Sequence, residues 1–356
     1  MDTINSWLNS LRCPDCHGTL GTAEGKSETV NCSGCGRKFN VSQGIWNFLP
    51  IAIEQQEKKD KEKSGWVKKM EEERENGGGH PPAHYLSLPD HPHPYYRFAA
   101  WYLRIVLEYG KPWKGKKVLE LGAAECWGTR RFAEAGCDAA ALDYDPTRMK
   151  KGQILLDHLP ISFSRFTGDA EELPFKDNSL DSIFCCSVLH HFPNLQKAVR
   201  EIARTLRPGG VFFGVHEAFH PPYYSRRKIL EMSEDTIPNI GVGINESSYT
   251  LGSYRRAFTR AGLVLEVLHP RWDVKEDGPL LTVAPNIGIL GNPEFVPRML
   301  SERAWRKDLA GYLASALIRS GLWRLAAHPA IFPLLRFQIL NWSTKNKVLV
   351  ARKAVK

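Results

Sequence analysis

The sequence predicts an α/β protein, a largely parallel sheet with helices on both faces, carrying a small cysteine-rich β module at its N-terminus. Three observations lead there. Short β-rich runs alternate with helical ones from Lys117 onward; Gly122, Asp143 and Asp169 each end one of the first three expected strands; and Cys13, Cys16, Cys32 and Cys35 form two C-x2-C pairs. At 356 residues the chain exceeds the usual size of a single core, so one large domain with an appendage is expected. Hydrophobic residues make up 42% and charged residues 24%, a balance that excludes wholesale disorder and a polytopic membrane protein.

Residues 1–50 are rich in Cys and Gly and end in VSQGIWNFLP, a turn glycine before an apolar strand. Residues 51–94 hold a dense run of both charge signs, IAIEQQEKKDKEKSGWVKKMEEEREN, expected as an exposed helical connector. The Gly-, Pro- and His-rich stretch GGGHPPAHYLSLPDHPHPYY then reads as loop. Residues 95–356 open with the helical spacing of RFAAWYLRIVLEYG. Strands follow at KVLEL, AAALDYD, SFSRFTGDA, SLDSIFCCSVL, VFFGVHE, LVLEVLHP and KVLVARK, with helices such as TRRFAEAG and NLQKAVREIARTL between them. Two insertions interrupt the alternation, at about 218–251 and, before the last strand, at about 273–343, where the pattern is helical.

The cysteine spacing, C-x2-C, fifteen residues and C-x2-C, is that of a tetrahedral zinc ribbon. Pro14 shapes the first knuckle, and Gly34 and Gly36 relax the second. Four thiolates leave no open coordination position, so a structural zinc is expected on Cys13, Cys16, Cys32 and Cys35.

In an open α/β sheet a ligand binds beyond the carboxyl ends of the strands. Gly122 lets the chain turn tightly before a helix whose free NH groups favour an anionic or zwitterionic ligand. Asp143, 21 residues further on, stands where an acid can accept hydrogen bonds from ribose hydroxyls. The full G-x-G-x-x-G spacing of a dinucleotide site is missing.

The segments VLELGAAECWGTRRFAEAG, ALDYDP, GDAEELPFKDNSLDSIFCCSVLHHF and EIARTLRPGGVFFGVHE, in that order, resemble the class I S-adenosylmethionine-dependent methyltransferases of type 11 over residues 95–270 and the final strand. The resemblance implies a Rossmann-like seven-stranded methyltransferase sheet and S-adenosylmethionine as cofactor. It implies Glu120, Gly122 and Ala124 in the first cofactor motif, Asp143 at the ribose, Asp169 and Ala170 at the adenine, and Cys186 and Ser187 beside the methionine. Ala124 and Cys126 stand where the family usually has glycine, and a side chain at Cys126 would crowd the carboxylate end of the cofactor. CPDCHGTL and CSGCGRKFNVSQGIWNFL resemble the zinc-ribbon activator subunit of tRNA and release-factor methyltransferases, here in cis, and the finger of certain rRNA guanine methyltransferases. Such a ribbon either binds acceptor or covers an apolar face of the catalytic domain; the second is favoured.

Methyl transfer mainly requires an aligned nucleophile, and a hydroxyl acceptor gains from a base near neutral pH. His191, His216 and Glu217, at or just after strand ends, are the catalytic candidates. The acceptor is expected to be a small molecule or a lipid- or glycan-type compound, with RNA second and a noncatalytic regulator third. Of the net charge of +9, residues 301–356 hold eleven Lys or Arg against Glu302 and Asp308, an excess suited to peripheral membrane contact or to RNA. The opening MDTINSWLNSLRCPDC shows no secretory signal and no run suffices to span a bilayer, so a cytoplasmic protein is expected.

Overall fold

The computed structural model describes residues 4–23, 26–75, 80–217, 219–230, 236–247, 249–268, 300, 309–328, 330–331 and 347–355. The N-terminal module is helix α1 (Ile4–Leu8) and strands β1 (Leu20–Ala23), β2 (Lys26–Cys32), β3 (Lys38–Ser42) and β4 (Ile45–Asn47). Helices α2 (Gln56–Glu75), α3 (Pro82–Ser87) and α4 (Pro94–Tyr109) lead to β5 (Lys117–Leu121), α5 (Trp127–Glu134), β6 (Asp138–Asp143), α6 (Pro146–Met149), α7 (Gly152–His158) and β7 (Ser164–Thr167). Then come β8 (Leu180–Cys186), a 3-10 turn at Leu189–His191, α8 (Leu195–Thr205), β9 (Leu206–Val215), α9 (Arg226–Leu230), α10 (Thr236–Gly241), α11 (Leu251–Arg260) and β10 (Leu263–Leu268). Helices α12 (Leu309–Ser320) and α13 (Trp323–Ala327) precede the last strand, β11 (Val348–Lys353).

The central strands run β7-β6-β5-β8-β9-β11-β10. All are parallel except β11, which pairs antiparallel with both β9 and β10. The alternation of strand and helix in the sequence suggests a parallel sheet, and six of these seven strands follow it. The last strand departs because it returns from the second insertion and enters between two strands already laid down. Burial on both faces explains the unbroken apolar runs: Ala139, Ala140, Ala141 and Leu142 are all buried. Helix α8 turns Leu195, Ala198, Val199, Ile202 and Ala203 to the sheet, the 3-4 spacing of one helical face, and Asn194 caps it by accepting the Lys197 NH at 3.0 Å. Strand order reverses between β5 and β8, which places the crevice at their carboxyl ends.

The ribbon shares this sheet and this core. Strand β4 lies parallel to β7 with Trp46 opposite Phe166, and the Phe48 NH continues the ladder to the Thr167 carbonyl at 2.7 Å. On the same side Arg12 NH bonds Pro174 O at 3.0 Å and Lys176 NH bonds Ser10 O at 2.8 Å. Trp7 sets its ring edge-on to Phe166 and Phe175, at 5.9 and 5.7 Å between centroids, and Phe48 meets Phe166 at 5.8 Å. The module thus closes the β7 edge, which would otherwise present unpaired backbone groups.

Two stretches differ from expectation. The charged helix α2 is no exposed connector. It lies across the carboxyl ends of the strands, where the buried Lys59 ammonium pairs with Asp169 at 2.6 Å and Glu171 at 3.0 Å. Tyr144 donates to Asp60 at 3.1 Å, Glu62 meets His191 at 3.1 Å, and Lys69 donates to Asn239 at 2.8 Å. It docks through charge and polar groups, so no apolar stripe announces the docked face. Gly65 fits because a Cβ there would lie 2.8 Å from the Val242 carbonyl. Within the expected His/Pro loop, α3 forms because Pro82 occupies the first helical turn, where a missing NH costs nothing.

Trp7→Ala is expected to cost about 3–5 kcal/mol and to lower the unfolding midpoint of the whole chain in one transition, read by tryptophan fluorescence and far-UV circular dichroism in urea. Separate transitions for ribbon and sheet would contradict the shared core. Lys59→Met strands two buried carboxylates and is expected to cost about 3–5 kcal/mol in the same assay.

Candidate active site

The loop from β5 into α5 is built on three left-handed residues: Gly122 at φ +63°, Ala124 at +43° and Cys126 at +62°. The sequence supplies glycine only at the first, so the other two hold a conformation costing on the order of 1–3 kcal/mol each. Cys126 is held by its NH bond to the Ala123 carbonyl at 2.7 Å, and Ala124 by Asp143 at the end of β6. Its Oδ2 accepts the Ala124 NH and its Oδ1 the Asp145 NH, both at 3.0 Å, while Gly122 NH bonds Leu142 O at 2.8 Å. Burial lifts the Asp143 pKa above the ordinary aspartate value, and the two NH groups work against that rise. Gly122 is also sterically required, since a Cβ there would overlap the Val188 side chain.

The fully buried Cys126 thiol points into the core, 3.9 Å from the Met149 carbonyl and against Gly152, where an added Cβ would approach it to 2.9 Å. Glu120 likewise turns inward. Its Oε2 accepts the Thr129 NH at 2.6 Å and hydroxyl at 2.5 Å, and a Cβ on Gly128 would strike its Oε1. Burial pushes the Glu120 carboxyl up to about 8 despite these bonds, so it grips the first turn of α5 from beneath the loop.

At the end of β7, Gly168 NH bonds Asp143 O at 3.0 Å, which sets Asp169 beside the same crevice. Asp169 accepts the Glu171 NH through Oδ1 at 2.9 Å and the Lys59 ammonium through Oδ2, with Ala170 half-buried between the two acids. Glu125 forms a bidentate pair with Arg148 at 2.7 and 2.9 Å, and Trp66 of α2 stacks on that guanidinium at 5.3 Å. The structure thus gathers Gly122, Ala124, Asp143, Asp169 and Ala170 along one edge.

Beyond β8 and β9 lies the second half of the crevice. Ser187 and His216, each at φ +56°, end adjacent strands beside the buried Cys186. The Ser187 hydroxyl donates to the His216 carbonyl at 2.9 Å and lies 2.8 Å from His216 Nδ1. With its hydrogen on the carbonyl, Ser187 accepts from Nδ1–H and leaves the Nε2 lone pair free. Tyr95, Tyr102 and Phe98 surround the imidazole at 5.2, 6.0 and 6.5 Å between centroids. Burial pulls the His216 pKa below the ordinary histidine value, with His190 adding to the shift.

Glu217 points the other way. It is fully buried and accepts the Val188 and Leu189 NH groups at 2.9 and 3.0 Å and His190 Nδ1 at 2.8 Å. Burial would raise its pKa, but His190 and the two NH groups outweigh it and the carboxyl stays below its usual range. His191 bonds Asn245 O at 2.7 Å through Nδ1; burial would lower its pKa, but Glu62 leads the groups that raise it.

In the ribbon, the Cys13, Cys16, Cys32 and Cys35 sulfurs all lie within 4.8 Å of one another, with Cys13–Cys35 at 3.7 Å and Cys16–Cys32 at 3.3 Å. Tetrahedral zinc with sulfur at about 2.3 Å needs separations near ~3.8 Å, so the cluster fits that ion. Cβ atoms on Gly18 or Gly34 would crowd these sulfurs, and the Gly34 NH points at Cys32 Sγ at 3.3 Å.

Sequence reasoning missed Lys59 and Trp66, which carry no motif, and the rings around His216. The run PYYRFAAWY contained those rings, yet nothing in its spacing pointed to a site.

Residues 119–214 match the family model described as Methyltransferase domain. Demethylmenaquinone methyltransferase of Renibacterium salmoninarum is 31% identical over 120 residues, 34% of this chain and 48% of that one. A Mycobacterium ulcerans protein named "Probable phthiotriol/phenolphthiotriol dimycocerosates methyltransferase 2" is 30% identical over 190 residues, 51% of this chain and 67% of that one. The chain spans about half or less of the first curated relatives it matches. Among solved structures, the YcgJ protein of Bacillus subtilis aligns at 19% identity and a TM-score of 0.44, over 71% of this chain and 98% of that one. Strand order, the strained loop with its acid partner, and the extent of the second relative together place this chain in the class I S-adenosylmethionine-dependent methyltransferase family.

Proposed function

We propose that this chain methylates a hydroxyl group on a small-molecule or lipid-type acceptor, with His216 as the general base. The observation that carries this reading is the Ser187–His216 pair: a half-buried imidazole whose Nε2 is left free, ringed by Tyr95, Phe98 and Tyr102. The cofactor, when bound, supplies an electrophilic methyl group. The residues that would hold it are the loop of Gly122 and Ala124, Asp143 toward the ribose, Asp169 and Ala170 toward the adenine, and Cys186 and Ser187 toward the methionine. His216 Nε2 takes the acceptor proton as the acceptor oxygen gains the methyl group, and the aromatic wall excludes water from that oxygen.

In this reading Glu217 and His191 are positioning groups. Glu217 braces the turn after β8, and His191 Nδ1 is spent on the Asn245 carbonyl. The four cysteines hold a structural zinc that keeps β4 in register for its pairing with β7.

An apolar acceptor is supported by the described part of the second insertion. Tyr312, Leu313, Leu317, Leu322 and Leu325 are exposed on α12 and α13 and just between them, with Arg319 and Arg324 alongside, a composition suited to a membrane surface. Among the described residues no helix is long and apolar enough to cross a membrane. Two relatives carry names for demethylmenaquinone and for phthiotriol/phenolphthiotriol dimycocerosates, and these names support looking first among small-molecule and lipid-type acceptors.

Incubating the protein with methyl-labelled S-adenosylmethionine and separate panels of phenols, hydroxylated lipids, glycans and RNA is expected to place label in an apolar hydroxyl compound. Label in RNA alone would overturn the acceptor assignment. His216→Asn is expected to lower kcat by about 10²–10⁴-fold. Because burial lowers the His216 pKa, the wild-type rate should be level above pH ~6.5 and fall only on further acidification, as Nε2 takes a proton. An acid limb unchanged in His216→Asn would assign the base elsewhere. Cys32→Ser should lose one zinc equivalent by mass spectrometry and unfold at lower temperature; unchanged zinc content would contradict the ribbon assignment.

A further inference from the structure

Beside the acceptor end of the crevice lies a cluster that takes no part in the proposed proton transfer and whose Nε2 atoms that reaction leaves unused. His190, His191 and Glu246 each bring a ligand-capable atom within 4.8 Å of the other two. The imidazoles follow one another in the 3-10 turn after β8, with ring centroids 4.1 Å apart, and Glu246 reaches in from the segment after α10, its Oε2 3.8 Å from His190 Nε2.

The groups behind these three are arranged as metal ligands require. His190 gives its Nδ1 proton to the buried Glu217 at 2.8 Å, and His191 gives its own to the Asn245 carbonyl at 2.7 Å, which fixes both tautomers with Nε2 as the remaining nitrogen. Glu246 is oriented in turn, accepting from the Asn239 amide at 2.6 Å through Oε1. Glu62 of α2 adds a carboxylate 3.1 Å from His191 Nδ1. Glu62, Glu217 and Glu246 thus surround two imidazoles in a nearly enclosed space, a concentration of negative charge that calls for a cation.

We infer that His190, His191 and Glu246 form a binding site for a divalent first-row transition ion, separate from the cysteine quartet. Two imidazoles and one carboxylate suit zinc, iron, cobalt or nickel and leave coordination positions open. Glu62 stays on the Nδ1 side of His191, so it would orient that imidazole from α2 rather than bind the ion. The inference stands apart from the choice of acceptor and from the role of His216.

The test uses the full chain loaded with Co²⁺ or Zn²⁺ and freed of excess metal, with metal per chain measured by mass spectrometry and cobalt followed by absorption. Two ions per chain are expected. Cobalt at the cysteines shows strong thiolate charge-transfer bands, and cobalt at the histidines the weaker bands of nitrogen and oxygen ligation. Glu246→Gln and His191→Asn should each remove one ion and the weak bands while keeping the thiolate bands, which also report that the ribbon and its shared core remain folded. Cys32→Ser should do the reverse, so loss of the quartet ion cannot be mistaken for loss of this one. A wild-type protein holding only thiolate-bound cobalt, or variants that keep both ions, would overturn the inference.

Discussion

The carboxyl edge of this sheet depends on the two backbone hydrogen bonds that Asp143 accepts. Ala124 and Cys126 occupy a conformation glycine would adopt without strain, and neither would stay there in a free peptide. Asp143 ties the loop after β5 to the turn after β6, offsetting the strain at Ala124 by accepting its NH at 3.0 Å while also accepting the Asp145 NH of its own turn. From the tied loop follow the first turn of α5, which Glu120 grips from below, and the closeness of Gly122 to Val188, just beyond β8. The same logic recurs beyond β8 and β9, where Ser187 and His216 hold each other in left-handed conformations. Strain at this edge is therefore concentrated in the turns that follow β5, β8 and β9.

The strands were legible because burial on both faces writes itself as continuous apolar runs, as in AAAL of β6, and because Gly122, Asp143 and Asp169 punctuate them at a constant edge. The cysteine quartet was legible because metal geometry constrains spacing directly. The docking of α2 was not. Its contacts are ion pairs and polar bonds, and the composition of EKKDKEK does not say which charges will find partners. The union of ribbon and sheet was hidden for a different reason: β4 is three residues long, and its parallel partner β7 lies more than a hundred residues away in sequence. Of the candidate site, the residues at strand ends could be named in advance, whereas the inward turn of Glu120 and Cys126 and the brace made by Glu217 depend on tertiary neighbours. Most of the second insertion lies outside the described residues.

The three layers of the molecule meet at the crevice. The ribbon closes the β7 edge and brings the chain to the start of α2; α2 crosses the strand ends and places Lys59 on Asp169, Glu62 on His191 and Trp66 on Arg148. Any cofactor that uses Asp169 meets an ammonium already paired there, so occupancy of the crevice and the position of α2 are coupled through one buried ion pair. The aromatic residues of α4 form the opposite wall around His216. An N-terminal segment that looks accessory in the sequence therefore packs against the carboxyl edge of the sheet through Lys59, Glu62 and Trp66.

The central claim is that the edge organised by Asp143 binds S-adenosylmethionine. Calorimetric titration of the folded, zinc-loaded protein tests it most directly, comparing wild type with Asp143→Ala. The account predicts micromolar binding by the wild type and its loss in the variant. Absence of binding by the wild type, or equal binding by both, would contradict it.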